Sequence, residues 1–554
     1  MKKKLAMLLT AAMLVGSLAA CGSSDNGSSA TGSASATDST KTDAAATEVS
    51  TEGKQLTVQI GPDPETIDPA LNSAVDGGNM LLHSFECLLT IDQDGKIAPG
   101  QAETWEVSED GLTWTFHLRD GLKWSDGSDL TADDFVYSWK RVCDPVVAAP
   151  YAETVLGMVK GFDEAQAGDL DALAVSAPDA KTFVVELSNP CPYFESLAAF
   201  ATLSPVQQAT VEATAAETYI SNGPFYITEW VPGSHITMSK NPNYWNADAI
   251  KLGSIKFVLM EDSNAAYTAY QSGDVLFIKD VPTQEIPSLQ GNPEFHVEPN
   301  LGTYYLSMNL EDPAFADVNV RKALSLAIDR DYVANTLMQG TYSPAYNLVG
   351  EGWVDTDGSS FNANANGGQS YISEDFDANL EEAKQLLADA GYPNGEGLPT
   401  ITYTTNDAGY HKTVAEYLQQ AWGELGINVE VNIVEWSSFT PMRRNGEYMV
   451  ARNGWVGDYS DPSNMLDLFC TGNGNNDGKF SNADFDAAME KAASTMDTAE
   501  RSAALHQAED VLMEQVGCIP VAYYNDFWLQ SEKITGIWHS AYGFWYFMYG
   551  DIAE

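Results

Sequence analysis

The stretch from Pro399 to Trp436 limits what this chain can fold into more than any other. It reads "PTITYTTN", then "YHKTVAEYLQQAWGELG" from Tyr410, then "INVEVNIVEW" from Ile427. The first and last pieces alternate polar and β-branched residues, as strands do. The middle piece places Val414, Tyr417, Leu418, Ala421, Trp422 and Leu425 at helical spacing and stops at Gly426. Two strands joined by a packed helix must lie parallel with a right-handed crossover. This half should therefore hold a mainly parallel sheet in an α/β fold. A second amphipathic helix, "ANLEEAKQLLADAGYP", precedes it and ends at Gly391 and Pro393.

The first half gives scattered elements. "KQLTVQIG" and "KTFVVELS" read as strands, and "GLTWTFHLRDGLKWSDG" (Gly111–Gly127) as paired strands turning at Asp-Gly. "TADDFVYSWKRV" offers Thr131 as N-cap with Asp134 three residues on. At 554 residues the chain exceeds one ordinary domain. With 78 acidic against 28 basic residues and a net charge of -50, it repels phosphate backbones, which excludes nucleic acid as a partner and disfavours anionic membrane surfaces.

"MKKKLAMLLTAAMLVGSLAAC" combines a basic start with an apolar run too short to span a bilayer comfortably. "LAAC" resembles a bacterial lipobox, which implies cleavage before Cys21 and a lipid on its sulfur. Residues 22–53 are rich in Ser, Thr, Ala and Gly and cannot bury enough surface to offset their ordering entropy, so they read as a tether. The remaining cysteines, Cys87, Cys143, Cys191, Cys470 and Cys518, are odd in number, and their pairing stays open. No CxxC pair or metal-spaced histidines occur, and no G-x-S-x-G, H-E-x-x-H or P-loop pattern. The expectation is no metal, no cofactor and no enzyme, with a secreted hydrolase as the other-class alternative.

"NGPFYITEW" (Asn222–Trp230), "NPNYWN" (Asn241–Asn246), "YQSGDV" (Tyr270–Val275), "VNVRKALSLAIDR" (Val318–Arg330) and "GWVGDYSDP" (Gly454–Pro462) run in order along the chain. Together they resemble the family-5 extracytoplasmic solute-binding proteins of ABC importers. "APGQAETWEVSEDGLTWTFHLRDGLKWSDG" and "TADDFVYSWKRVCDP" resemble its oligopeptide-binding members. Taken alone, "NVRKALSLAIDR" is a good helix starting at Asn319, and "NPNYWN" a turn that packs its aromatics inward. The resemblance implies a periplasmic-binding-protein-like two-lobe clamp of type II, cluster C. Its parts are a signal peptide (1–20), a lipidated Cys and linker (21–54), a discontinuous first lobe (55–85, 211–301 and 525–554), an extra domain in that lobe (86–210), and a second lobe (302–524). It also implies capture of oligopeptides between the lobes and delivery to ABC permease subunits. The protein would be a lipid-anchored monomer on the outer face of the cell membrane of a Gram-positive-type bacterium. Dipeptides, signalling peptides or a non-peptide solute remain the same-fold alternatives.

A receptor for peptides of arbitrary sequence can grip only the backbone and the two charged ends. By resemblance, Gly454, Trp455 and Val456 on one side and Ser73, Ala74 and Val75 on the other supply backbone contacts. Asp458 matches the anchor for the peptide α-amino group, with Asp461, before Pro462, as a turn former. Arg452 and His411 match positions that meet the peptide carboxylate at different lengths. His411 is expected to carry charge near pH 6, with its midpoint raised by the acidic chain. Tyr151, Tyr305, Trp436, Trp455 and Tyr524 match pocket walls, with Arg443 beside them. Val456 and Gly302 stand where the best-known relatives carry a paired Cys, so that cross-link is absent.

Overall fold

In the computed structural model, the described residues are 53–213, 220–365, 371–406, 410–459 and 461–553, with the side chains of 213, 436 and 437 also left out. Cys21, the signal segment and the tether up to residue 52 lie outside them. The crossover unit forms as the sequence dictates. Ile401–Asn406 pairs parallel with Val429–Val434 in unbroken register, and the helix His411–Gly423 joins them. Its apolar stripe buries Val414, Leu418 and Trp422, and the Trp422 indole donates to the Leu324 carbonyl at 2.9 Å.

This unit is one end of an eleven-stranded mixed sheet. The order is Val429–Val434, Ile401–Asn406, Val450–Val456, Phe295–Met308, Ile519–Gln530, Phe277–Ile278, Lys54–Gln59, Leu252–Val258, His235–Lys240 and Phe225–Val231, with Tyr342–Pro344 paired beside Ile519–Gln530. Parallel pairs occur where helices cross over; the middle strands and the Phe225–Val231 end are antiparallel. The sheet is therefore less parallel than the sequence reading implied.

The described residues form separate apolar cores, two of the largest along this sheet. One is built chiefly from residues 301–522, including Tyr403, Trp422, Phe469 and Leu512. Another gathers Leu56, Phe225, Ile255, Phe277, Trp528 and Phe547. A third, from Ala70 to Val206, surrounds a four-stranded antiparallel sheet and takes one residue from far away, Tyr459. The two long central strands pass from one core to the next. Phe527 and Phe295 pack beside Leu529, while Leu301, Leu306 and Val521 belong to the 301–522 core. Their register slips between Pro299 and Thr303, where the chain leaves one core for the other.

Three local readings change. The Thr113–Leu118 strand pairs with Ala102–Val107 through the turn at Asp110–Gly111, and with Thr182–Glu186 on its other edge. Across Asp120–Gly121 no ladder forms; Lys123 makes only an isolated bridge to Asp129. The helix Val318–Leu326 starts one residue before Asn319 and is capped by Asp317, whose carboxylate accepts from Asn319 N at 2.8 Å. In "NPNYWN", Tyr244 is buried but Trp245 is exposed, covered by the Arg119 guanidinium 3.7 Å above its ring. Thr131 does start the Ala132–Cys143 helix, its amide donating to Asp134 Oδ2 at 2.8 Å. All five described cysteines are free thiols. Among the described residues no helix is long and apolar enough to cross a membrane, and no group of three or more His, Cys, Asp or Glu is arranged to hold a metal ion.

Candidate functional site

The Val450–Val456 strand pairs with Phe295–Met308 along its whole length, from Val450↔Met308 to Val456↔Gly302. Its other edge meets Ile401–Asn406 only at Val450 and Ala451. From Arg452 to Val456 that edge has no strand partner among the described residues. An unpaired edge presents backbone donors and acceptors to any extended chain.

Small residues keep this strand close to an aromatic neighbour. A Cβ at Gly454 would overlap the Tyr524 hydroxyl, and one at Gly302 would overlap the same ring. A Cβ at Gly457 would meet Trp353. Gly302 and Val456 face each other in register, and Val456 is 41% exposed.

The turn after the strand carries Asp458. Its Oδ1 accepts from the Tyr151 hydroxyl at 3.0 Å, and its backbone N–H donates to Asn464 Oδ1 at 3.2 Å. The same Asn464 oxygen accepts from the Trp455 indole at 2.9 Å. Burial raises the Asp458 carboxyl above the usual carboxylate range, and the hydrogen bonds from Tyr151 and Asn464 offset part of that rise. No cation among the described residues lies within ion-pair distance of Asp458. The next residue, Tyr459, stacks on Tyr193 with centroids 4.9 Å apart and planes within 7°. Asp461 does more than form the turn. It receives Ser463 N at 2.9 Å and is also ion-paired with buried Arg501 at 2.6 Å.

At the other end, Arg452 Nη2 donates to the Tyr524 hydroxyl at 3.1 Å, and its guanidinium carbon lies 5.4 Å from the Tyr304 ring centroid. Tyr304, Tyr342 and Tyr524 touch edge to face, and the Tyr304 and Tyr403 hydroxyls are 3.5 Å apart. Arg452 Nε is buried without a hydrogen-bond partner, and no carboxylate among the described residues reaches ion-pair distance of this arginine. His411 packs against Tyr304 at 5.5 Å. Burial first, and the Arg452 charge second, push its imidazole down to about 3. That reverses the expected titration near pH 6–8: the local guanidinium and desolvation outweigh the distant acidic charges.

The remaining sequence candidates fall in varied places. Tyr151, just before a short helix at Ala152, packs its ring on Phe200 at 5.2 Å. Tyr305 is 2% exposed, inside the core next to Phe469, while its neighbour Tyr304 turns toward Arg452. Arg443 is ion-paired with buried Asp477 at 2.7 Å and donates a long bond, 3.5 Å, to the Arg452 carbonyl. The side chain of Trp436 lies outside the described residues. Ser73 and Ala74 are exposed, Ala74 is extended, and Val75 opens the helix Val75–Ser84. Their loop is fixed by Asp68, which holds Leu71 and Asn72 by its carbonyl and Arg141 by its carboxylate at 2.5 and 2.9 Å. Sequence reasoning missed Asn464, Arg501, Tyr304 and Asp477. Each sits in a stretch with ordinary turn, helix or strand composition, and only the fold brings it to the site.

Residues 96–477 match the family model described as bacterial extracellular solute-binding proteins, family 5. The oligopeptide-binding protein OppA of Bacillus subtilis is 34% identical over 502 residues, covering 87% of this chain and 90% of that protein. A protein of Escherichia coli described as a probable deoxycholate-binding periplasmic protein, YgiS, is 32% identical over 83% of this chain and 86% of its own length. Among solved structures, Haemophilus influenzae OppA in complex with the peptide RPPGFSPFR aligns with a TM-score of 0.72 at 30% identity, covering 91% of this chain and 99% of that one.

Proposed function

The chain belongs to the family 5 bacterial extracellular solute-binding proteins, and from that premise we propose that it captures oligopeptides as an added strand along the open edge at Arg452–Val456. The observation that carries this reading is the pair of uncompensated charges flanking that edge. Among the described residues Asp458 is an anion without a cation, and Arg452 is a cation without an anion. They stand six residues apart in sequence, and the four strand residues from Arg452 cover roughly 13 Å, about a short peptide. A peptide supplies the complement at both ends: an ammonium for Asp458 and a carboxylate for Arg452. Its backbone meets Gly454–Val456 on one side and Ser73–Val75 on the other.

In this reading Tyr151, Trp455 and Tyr524 line side-chain pockets, with Arg443 at the margin. His411, uncharged, stands where a longer peptide ends, as a hydrogen-bond donor to its carboxylate. The segments 55–85, 211–301 and 525–554 form the first lobe, 86–210 its extra domain, and 302–524 the second lobe. The central strands that cross between cores near Pro299–Thr303 are the hinge. Lipid on Cys21 holds the protein at the outer face of the cell membrane, where it passes peptide to the permease subunits of an ABC importer. It acts as a monomer, without cofactor or catalysis.

A test is to release bound ligands from purified protein by denaturation and identify them by mass spectrometry, then titrate free and N-acetylated alanine peptides by calorimetry. Released peptides and a preference for the free amine support the reading. Absence of both overturns it. A second reading, an apolar solute bearing a carboxylate, draws on the aromatic surroundings of Arg452 and on the relative described as deoxycholate-binding. Such a ligand would bind equally well after Asp458→Asn.

A further inference from the structure

The turn that carries Asp458 has few ways to hold its shape. Gly457 precedes the acid and Pro462 follows, and short polar residues dominate between. One side chain, Asn464, ties two of its parts together. It is 7% exposed and is the second residue of the helical turn Ser463–Leu466. Its carboxamide oxygen receives two donors, the Trp455 indole at 2.9 Å and the Asp458 backbone N–H at 3.2 Å. Those donors fix which end of the amide is oxygen. Its own backbone N–H donates to the Asp461 carbonyl at 2.9 Å, so it is tied to the segment pinned by Arg501.

We infer that Asn464 is the positioning residue that makes this site selective for ligands with a free amine. It sets the Asp458 carboxylate and the Trp455 ring in one fixed relation. This rests on reading Asp458 as the amine anchor. Through Asn464, a pocket wall and a charge move as one unit, because a single oxygen bonds both. The proposal concerns orientation and charge together. Hydrogen bonding from Asn464 also favours the ionised form of Asp458, as does the Tyr151 hydroxyl. The other titratable or charged groups around this turn are Asp461, paired with Arg501; Asp467; and the phenols of Tyr193 and Tyr459. Among the described residues none of these groups hydrogen-bonds the Asp458 carboxylate.

The sign of the pH effect follows. An ammonium ligand needs Asp458 ionised, so affinity falls as pH drops through the Asp458 midpoint. Asn464 is one of the two side chains that hold this midpoint down, so its loss raises the midpoint and moves the acid limb to higher pH. The experiment uses the full chain and two probes, trialanine and N-acetyl-trialanine, titrated between pH 4 and 8.5. Asn464→Ala should lose about tenfold in affinity for trialanine at pH 7, change less than about twofold for the acetylated probe, and shift the acid limb upward. Asn464→Asp keeps the accepting oxygen but adds a like charge. It should recover to within about threefold of the parent at pH 8.5, with a still larger upward shift of the limb. It decides the matter if the alanine variant fails to fold. Equal losses for both probes, or a folded variant with the parent's selectivity and acid limb, would overturn the assignment. A parent that does not distinguish the two probes would instead overturn the reading of Asp458 beneath it.

Discussion

The two ends of the proposed peptide strand are held by different physics. At the Asp458 end every partner is a directed hydrogen bond: Tyr151 and Asn464 to the acid or its backbone, and Arg501 to the adjoining Asp461. At the Arg452 end the surroundings are rings, Tyr304, Tyr342, Tyr403 and Tyr524, with one hydroxyl as acceptor. The difference suits the two charges. A carboxylate in a partly buried turn needs donors to stay ionised, and it receives just enough to lessen the effect of burial. A guanidinium is always charged and tolerates π faces in place of water. In the proposed reading the amine end is therefore a closely defined socket, while the carboxylate end is a broad cationic wall suited to chain ends at more than one depth.

The sharpest way to break this contrast is to cut the scaffold of the acid end. Arg501→Met leaves Asp461 buried without its cation. Removing one member of such a pair costs about 3–5 kcal/mol, a large share of an ordinary domain's stability. Denaturant unfolding should show that loss. The same measurement on Arg452→Met should show little or none, because no carboxylate is left behind. Equal destabilisation by the two variants would mean that the cationic end is as tightly built as the acidic one.

Binding separates the ends next. Asp458→Asn should weaken free-amino peptides at least about tenfold, since a charge-assisted bond contributes about 1.5–3 kcal/mol. It should leave N-acetylated peptides unaffected. The effect should hardly depend on peptide length, because every free peptide begins at the same socket. Arg452→Met should cost less on average and should depend on length. Tripeptides suffer most, and C-terminal amidation of the ligand removes the difference between parent and variant. Calorimetry on alanine peptides of two to six residues measures both. A length-independent loss in Arg452→Met would make this arginine a support for the fold and not a carboxylate partner.

What the sequence revealed follows the same division. At the acid end the turn itself was legible because its residues are contiguous: "GWVGDYSDP" places the carboxylate, the glycines and the proline together, whereas Tyr151, Asn464 and Arg501, which hold it, come from other segments, and the last two were missed. The crossover unit was legible for a similar reason, since helical and strand periodicities are local. The cationic end was only half legible. Arg452 stood out, but its rings come from four segments, and the sequence could not say whether Tyr304 or Tyr305 turns toward it. Strand alternation fixes that the two face opposite ways, and the pairing of Tyr304 with Gly454 decides which one meets Tyr524 and Arg452. The misplaced Asp-Gly turn has a related origin: three Asp-Gly pairs lie between Asp110 and Gly127, the hairpin forms at the first, and the distant strand Thr182–Glu186 takes the other edge of Thr113–Leu118.

The smallest expected effect is spectroscopic, and it probes how dry the cationic end is. An ordinary histidine titrates near ~6.5. His411 is held down to about 3, by burial first and by the Arg452 charge second. Its ring is therefore neutral from pH 5 to 8 in the ligand-free protein. Because the unfolded chain takes up this proton below ~6.5 and the folded chain does not, its contribution to stability is complete above that pH and declines as pH falls toward the folded value. The imidazole proton resonance, assigned by its loss in His411→Gln, should not move between pH 5 and 8. In Arg452→Met the second cause is gone, so the midpoint should rise while remaining below the ordinary value, because burial persists. A peptide carboxylate bound beside the ring should raise it in the parent as well, and more for longer peptides than for tripeptides. A parent resonance that titrates near pH 6.5 without ligand would mean that water reaches His411 freely. The aromatic enclosure would then not be what sustains Arg452, and the contrast between a bonded acid end and a ring-lined cationic end would fail at its cationic half.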